Sequence, residues 1–115
     1  MLNSEILKTW LENICGNNAE DITALYSQDA VIITDDSDEP LMGEMDIFGF
    51  YDWYINRDPC VELTFSDSKN FEGVEVVNGN YTIKNMEGVF HKRFTFVISG
   101  GKIIAQHTST DPLIK

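Results

Sequence analysis

Apolar residues in the first half of the chain recur every three or four positions, which is the spacing of an amphipathic helix. The first stripe consists of Ile6, Leu7, Trp10, Leu11 and Ile14. Ser4 precedes this stripe and has the side chain of a helix N-cap, and Gly16 is the predicted C-terminal stop. A short second helix is predicted to start at Asn18 or Asp21 and to include Tyr26.

A short buried strand and a third helix are predicted next. Residues Ala30–Thr34 are apolar or β-branched, and the acidic stretch 35–40 follows them as a loop. Gly43–Asn56 is the predicted third helix, because it carries a complete apolar face. That face consists of Ile47, Phe50, Tyr51, Tyr54 and Ile55. Phe48 and Trp53 are large apolar residues that fall outside it.

From Val61 onward the pattern is that of strands joined by turns. Asn78-Gly79, Glu87-Gly88 and Gly100-Gly101 are hairpin signals, and they separate predicted strands near residues 70–77, 80–86, 89–99 and 102–110. Consecutive hairpins make an antiparallel meander. The predicted fold class is therefore α+β, with N-terminal helices packed on one face of a curved antiparallel sheet.

Length and charge limit the classes of protein and partner. The 115 residues fit one domain that spans 1–115. Eight Lys and Arg residues against 19 Asp and Glu residues give a net charge of −11, which disfavours nucleic acid and membrane surfaces as partners. Cys15 and Cys60 form no motif and no signal peptide is visible, so a reduced, cytoplasmic protein is expected. No metal site and no cofactor are predicted, because the required ligand spacings and phosphate loops are absent.

Several stretches of the chain resemble the nuclear transport factor 2-like superfamily, which includes SnoaL-like polyketide cyclases, ketosteroid isomerases and the association domain of calcium/calmodulin-dependent kinase II. Residues 24–31 (ALYSQDAV) are similar to the family's ALYADDAV junction, and residues 43–51 (GEMDIFGFY) to its G-x-x-x-I-x-x-F-Y helix start. RFTFV, GKII and HTSTDP resemble its C-terminal strands. The resemblance runs from Ser4 to Pro112 and implies a cystatin-like cone, in which helices cover the concave side of the sheet around an apolar pocket.

The resemblance also locates the residues that ketosteroid isomerases use, and this chain departs from them. Thr34 stands in the position of the base, Trp10 in that of the tyrosine, and Arg93 near the second acid. Threonine is not a base at neutral pH and tryptophan has no phenol, so ketosteroid isomerase activity is not expected. Asp35 replaces the base only if the loop register shifts by one residue.

His107 and Arg93 are candidates on their own chemistry. His107, like Asp35, is a candidate catalytic acid or base, and its alternative role is a structural or interface histidine. Arg93 is a candidate clamp for a ligand carboxylate, and its alternative is an ion pair with one of the many acids. The last strand's alternation leaves open whether His107, or instead Gln106 and Thr108, face the pocket. The predicted pocket is lined by Trp10, Tyr26, Thr34, Tyr51, Tyr54, Arg93 and His107.

Three functions follow from these features. The first is a small-molecule-binding cone whose ligand is apolar and carries a carboxylate or a carbonyl. The second is a cofactor-free SnoaL-like isomerase, cyclase or dehydratase, and the third is a non-catalytic assembly module. A homodimer through the β-sheet is predicted, because neither face of the strand Val89–Ile98 has the polar pattern of a solvent-exposed surface. Family members are often dimers, so the resemblance implies the same.

Overall fold

The computed structural model describes residues 5–110, and Ser4, Asp111 and Pro112 lie outside them. This part of the chain contains three helices and six strands. They are α1 (Glu5–Gly16), α2 (Ala19–Thr23), β1 (Tyr26–Thr34), β2 (Leu41–Met42), α3 (Glu44–Ile55), β3 (Cys60–Phe71), β4 (Val74–Asn85), β5 (Gly88–Ser99) and β6 (Lys102–Thr110).

The helices lie where the apolar periodicity predicts them. α1 ends at Gly16, and the left-handed conformation that terminates it belongs to Asn17, with φ of 60°. Asn18 caps α2, because its Oδ1 accepts a hydrogen bond of 3.0 Å from the backbone N–H of Asp21. Tyr26 is the first residue of β1 and not part of the second helix, so the predicted extent of that helix is wrong.

The strands form one six-stranded sheet in the order β2-β1-β6-β5-β4-β3. All neighbouring pairs are antiparallel except β1 and β6, which run parallel; the long connection through α3 and the β3–β5 meander permits this pairing. The predicted α+β class with helices on one face of the sheet is confirmed, and the purely antiparallel sheet is corrected to a mixed one.

The hairpin predicted at Asn78-Gly79 is wrong. β4 runs unbroken from Val74 to Asn85, and the turn that joins it to β3 is Glu72-Gly73 instead. Gly79 has a different reason to be glycine: a Cβ at this position would overlap the carbonyl oxygen of Phe65 on β3. The register of β3 shifts by one residue at that point, which marks a β-bulge where the two backbones approach closely.

A second β-bulge decides which residues of β6 face the helices. Val97 pairs with Ala105 but Ile98 pairs with Ile103, so Ile104 is an extra residue in β6. Ile103 is consequently buried on the same face as Gln106 and Thr108, and the period of two is broken between them. The core forms on this face against the helices, and it includes Leu7, Trp10, Ile14, Ile22, Ile32, Ile47, Tyr51, Val77, Ile83, Phe96 and Ile103.

Within residues 5–110, none of the helices is both long and apolar enough to cross a membrane.

Candidate functional site

The centre of the molecule is a cluster of hydrogen-bonded aromatic side chains, here called the interior cluster (Trp10, Tyr26, Tyr51, Tyr54, Tyr81 and Gln106). The indole Nε1 of Trp10 on α1 donates to the hydroxyls of Tyr26 at 3.2 Å and Tyr51 at 3.1 Å. The two hydroxyls are 2.6 Å apart, and both donate to Oε1 of Gln106. Gln106 Nε2 in turn donates to Thr108 Oγ1 at 2.9 Å. Side chains from β1, α3 and β6 thus meet at the amide of Gln106, beside Trp10 of α1.

The phenols of this cluster are hydrogen-bond donors rather than bases. Burial raises the pKa of Tyr26, Tyr51, Tyr54 and Tyr81, because the charged phenolate is poorly solvated in the interior. Tyr81 also donates a hydrogen bond to Tyr54. All four side chains therefore stay neutral at physiological pH, and they orient polar atoms rather than remove protons.

Side chains fill the interior. The central cavity has a volume of about 10 Å³, which is the space of at most one water molecule, and it is lined by Trp10, Thr34, Asp36, Phe50, Tyr51, Tyr54, Tyr81, Gln106 and Thr108. The open apolar pocket that the resemblance implies is therefore occupied by the protein's own aromatic rings. Trp10, for example, packs with its ring centroid 5.6 Å from that of Tyr81 and 5.7 Å from that of Phe96.

A larger cavity adjoins this filled interior and is here called the mouth pocket. Its volume is about 190 Å³, and it shares Asp36 and Tyr54 with the interior cavity. The aromatic part of its wall comes from Trp53, Tyr54 and Phe90, and its charged part comes from Asp35, Asp36, Arg57, Glu87 and Lys92.

Lys92 is the buried cation of the mouth pocket. Its side chain is 5% exposed, and its Nζ donates to Asp35 Oδ1 at 3.1 Å, to Asp36 Oδ1 at 3.4 Å and to Thr110 Oγ1 at 3.0 Å. These contacts use the three N–H groups of the ammonium. Lys92 therefore holds the 35–36 turn against β5 and β6, and it has no further donor for a ligand.

Asp35 is the carboxylate that pairs with Lys92, and hydrogen bonds hold both of its oxygens in place. Partial burial acts to raise the pKa of its carboxyl, but hydrogen bonds from Thr110 and Lys92 outweigh burial and lower it. The Thr110 backbone N–H donates to Asp35 Oδ2 at 2.8 Å. Asp36, one residue on, is the carboxylate that reaches the interior cavity, where its Oδ2 is 3.4 Å from Thr34 Oγ1.

Arg57 has N–H groups that its contacts within the protein do not use. Its guanidinium pairs with Glu87 and lies 4.8 Å from the centre of the Trp53 ring. A guanidinium has five N–H groups, and one carboxylate cannot use all of them. Arg57 is thus the donor in the mouth pocket with N–H groups left for a bound molecule.

Arg93 and His107 lie on the face of the sheet opposite to the interior cluster. Both are exposed, and they line a polar groove of about 360 Å³ together with Asn78, Asn80 and Ser109. Their predicted place in one pocket with Trp10 is corrected. Arg93 points outward because it alternates with the buried Lys92 and Phe94 of β5, and the bulge at Ile104 turns Gln106 and Thr108 inward and His107 outward. His91 shares the outer face, where its Nδ1 is 3.1 Å from Thr82 Oγ1. Among residues 5–110, no histidine faces the interior.

A wider depression on the surface, about 710 Å³, lies between α2, β1 and α3. It is lined by the acids Glu20, Asp29 and Glu44 and by Phe48, which is 40% exposed. At its edge, Lys102 Nζ donates to the carbonyl of Ala24 at 2.6 Å. Lys102 is the one cation among the described residues that line the depression, and it faces three carboxylates, so the depression is acidic.

The structure therefore brings together five of the residues predicted from the sequence. Trp10, Thr34, Tyr51 and Tyr54 line the interior cavity, and Tyr26 joins them through its hydrogen bonds with Trp10 and Tyr51. Tyr81, Lys92 and Arg57 are site residues that the sequence analysis missed. The one available signal for Lys92 was its position, because it is the single charged residue among the inward-facing apolar positions of β5.

Comparison with known proteins finds similarity in structure only. No protein-family model matches the sequence, and no curated protein is significantly similar to it. A protein from Xanthomonas campestris described as a calcium/calmodulin dependent protein kinase II association domain is 23% identical, with a TM-score of 0.82 over 95% of this chain and 85% of that one. A nuclear transport factor 2-like protein of unknown function from Pseudomonas putida is 13% identical, with a TM-score of 0.82 over 96% and 85%.

A third similar structure contains a bound small molecule. It is a protein from Catenulispora acidiphila with a ketosteroid isomerase-like fold in complex with trimethylamine, 14% identical, with a TM-score of 0.70 over 93% of this chain and 85% of that one. Further similar structures are described as having a cystatin-like fold. At these identities the similarity is one of fold, and it confirms the fold of the nuclear transport factor 2-like superfamily that the sequence motifs indicate.

Proposed function

We propose that this chain, which has the nuclear transport factor 2-like fold, binds a small neutral molecule in the mouth pocket. The observation that carries the proposal is the Arg57 guanidinium held over the Trp53 ring in the wall of a cavity of about 190 Å³. An aromatic wall next to a few converging polar groups is the usual composition of a ligand site. The volume is below the roughly 300 Å³ of sites for drug-sized molecules, so the ligand is small.

The charges of the pocket favour a carbonyl over a carboxylate. Two cations, Arg57 and Lys92, face three carboxylates, those of Asp35, Asp36 and Glu87. A further carboxylate would be repelled, whereas a carbonyl oxygen accepts from Arg57 without adding charge. The apolar part of the ligand would then stack on Trp53 and Phe90, and its far end would meet the hydroxyl of Tyr54.

The fold is compatible with small ligands, since a similar structure holds trimethylamine. A catalytic role for His107 or Asp35 receives no support from their surroundings. His107 is on the outer face, and both oxygens of Asp35 are engaged with Lys92 and Thr110.

A thermal-shift screen with small ketones, amides and lactams tests the proposal. A ligand that raises the Tm of the wild-type protein should lose this effect in Trp53→Ala, because that side chain forms the wall of the pocket. Phe48→Ala is the matched control: it removes a similarly exposed ring of the same helix, but from the acidic depression. Arg93→Ala should also keep the full shift. A shift lost in Phe48→Ala or Arg93→Ala and retained in Trp53→Ala would contradict the proposal.

The second candidate function is a homodimeric assembly module, and the outer face of the sheet favours it. Ile33, Phe65, Phe71 and Val89 are 51–62% exposed there, with Val76 and Val97 between them. Leaving such a surface in water is unfavourable, and a second copy laid sheet against sheet would cover it. The filled interior also suits a protein whose contacts are external.

Sedimentation equilibrium at micromolar concentration tests the dimer. The expected mass is twice that of the 13.1 kDa chain, and Phe65→Glu should shift it toward the monomer. Met45→Glu is the control, because Met45 is 88% exposed on α3, away from the sheet face. A single 13.1 kDa species for the wild-type protein would contradict the dimer.

A further inference from the structure

Two cysteines that are distant in the sequence meet at the surface. Cys15 is in the last turn of α1 and Cys60 is the first residue of β3, 45 positions later. Their Sγ atoms are 3.9 Å apart and both side chains are exposed. A disulfide bond needs about 2.05 Å between the sulfurs, so a side-chain rotation of modest size closes the remaining gap.

The hydrogen bonds around the pair distinguish its two sulfurs. The backbone N–H of Val61 donates to Cys15 Sγ at 3.1 Å, and the Val61 carbonyl oxygen lies 3.7 Å from the same sulfur, so both groups hold the Cys15 side chain against β3. The hydrogen bond to Cys15 raises the pKa of the Cys60 thiol, with Glu62 adding to the shift and Lys84 opposing it. Val61 therefore positions the Cys15 sulfur next to Cys60, and the raised pKa keeps the Cys60 thiol protonated until the second step of an exchange reaction.

We propose that Cys15 and Cys60 are a thiol pair that forms a reversible intramolecular disulfide with small disulfides such as oxidised glutathione as the oxidant. The Cys15 thiolate attacks one sulfur of the small disulfide, and a mixed disulfide forms as one thiolate leaves. Cys60 then loses its proton and attacks Cys15 Sγ, which expels the second thiol. The two protein thiols lose two electrons, and the small disulfide is reduced to two thiols.

The bond ties the helical layer to the sheet beside the mouth pocket. It closes a loop of 45 positions that includes α2, β1, β2 and α3. Cys60 follows the 56–59 segment, which carries Arg57, and it pairs across the sheet with Lys84, next to Ile83 of the mouth pocket. A cross-link over a loop of this length is expected to raise the Tm by on the order of 10 °C.

Incubation of the purified protein with oxidised glutathione, followed by alkylation and mass spectrometry, tests the proposal. The expected product is a chain without an intermolecular cross-link that is 2 Da lighter, has no alkylatable thiol, melts higher and returns to the starting mass with dithiothreitol. Cys60→Ser should stop at the mixed disulfide on Cys15, because the resolving thiol is missing. Cys15→Ser should likewise stop at a mixed disulfide on Cys60, because its partner thiol is missing.

Three outcomes of this experiment would show that the pair does not form an intramolecular disulfide. A wild-type protein that accumulates two glutathione adducts, forms only intermolecular disulfides, or keeps both thiols free would overturn the proposal. The serine variants should melt at the same temperature as the reduced wild-type protein, because both side chains are exposed and serine has nearly the same shape. Neither variant touches Trp53 or Arg57, so the outcome is independent of ligand binding in the mouth pocket.

Discussion

At the scale of single residues, Gln106 shows why part of the site could not be predicted. The resemblance and the helical periodicity predict Trp10, Tyr26, Tyr51 and Tyr54, because large aromatic residues at the apolar positions of a helix or strand are expected to be buried. Gln106 looks like an ordinary polar strand residue, and alternation alone cannot say which way it points once a bulge interrupts the strand. Its burial depends on Ile104, two positions earlier.

Gln106→Leu should therefore be far more harmful than His107→Leu at the neighbouring position. The two tyrosine hydroxyls can still bond each other, but the leucine removes their shared acceptor and the donor to Thr108 Oγ1, and buried groups without partners cost about 1–3 kcal/mol each. We expect a loss of about 2–4 kcal/mol in the free energy of unfolding for Gln106→Leu and less than about 0.5 kcal/mol for His107→Leu. Urea unfolding measures both, and equal losses would show that the described faces of β6 are wrong.

Asp35 should make the stability depend on pH. Its pKa is lowered in the folded state, so the carboxylate stabilises the fold above its unfolded-state pKa of about 3.9, and this contribution disappears as the pH falls through the folded-state value. Asp35→Asn should lower the free energy of unfolding at pH 7 and approach the wild type at low pH. Asp38→Asn, in the same acidic loop, is the control. A deficit of the Asp35 variant that persists unchanged at pH 2 would refute the ion-pair account.

At the scale of elements, the helices were predictable and the strand boundaries were not. A stripe such as Ile6 to Ile14 follows from the geometry of one helix, so local sequence contains the information. The Asn78-Gly79 pair has the composition of a turn, yet Gly79 is required by a neighbouring strand that lies some fourteen residues away in the sequence. Sheet contacts of this kind are non-local, and a turn signal cannot report them.

Gly79→Ala tests the close approach of β3 and β4. The added methyl group overlaps the backbone of Phe65, and backbone cannot move aside as a flexible side chain does. We expect a loss of about 1–3 kcal/mol in the free energy of unfolding, the range for overpacked sites. Gly16→Ala should cost nothing, because a Cβ there meets no atom within 4 Å and alanine favours the helix. Similar values for both variants would contradict the described register.

At the scale of the whole molecule, the order of weak motifs was enough to predict the fold but not the state of its interior. The resemblance implies an apolar pocket, whereas side chains reduce the central cavity to about 10 Å³ and place the available space beside it. Whether a cone is open depends on how several distant side chains fill it together. In this protein Trp10 from α1 packs against Tyr81 from β4 inside the cone, and these two residues, which are far apart in the sequence, meet only in the folded chain.

The two tryptophans of the chain offer the most direct test of the proposed ligand site, since Trp10 belongs to the interior cluster and Trp53 to the mouth pocket. Each gives one indole N–H signal in a ¹⁵N–¹H NMR spectrum, and Trp53→Phe assigns them. When a stabilising carbonyl ligand is titrated, the Trp53 signal should shift in a saturable way while the Trp10 signal stays within a small fraction of that shift. A saturable shift of Trp10 alone, or binding that moves neither signal, would contradict the proposed ligand site.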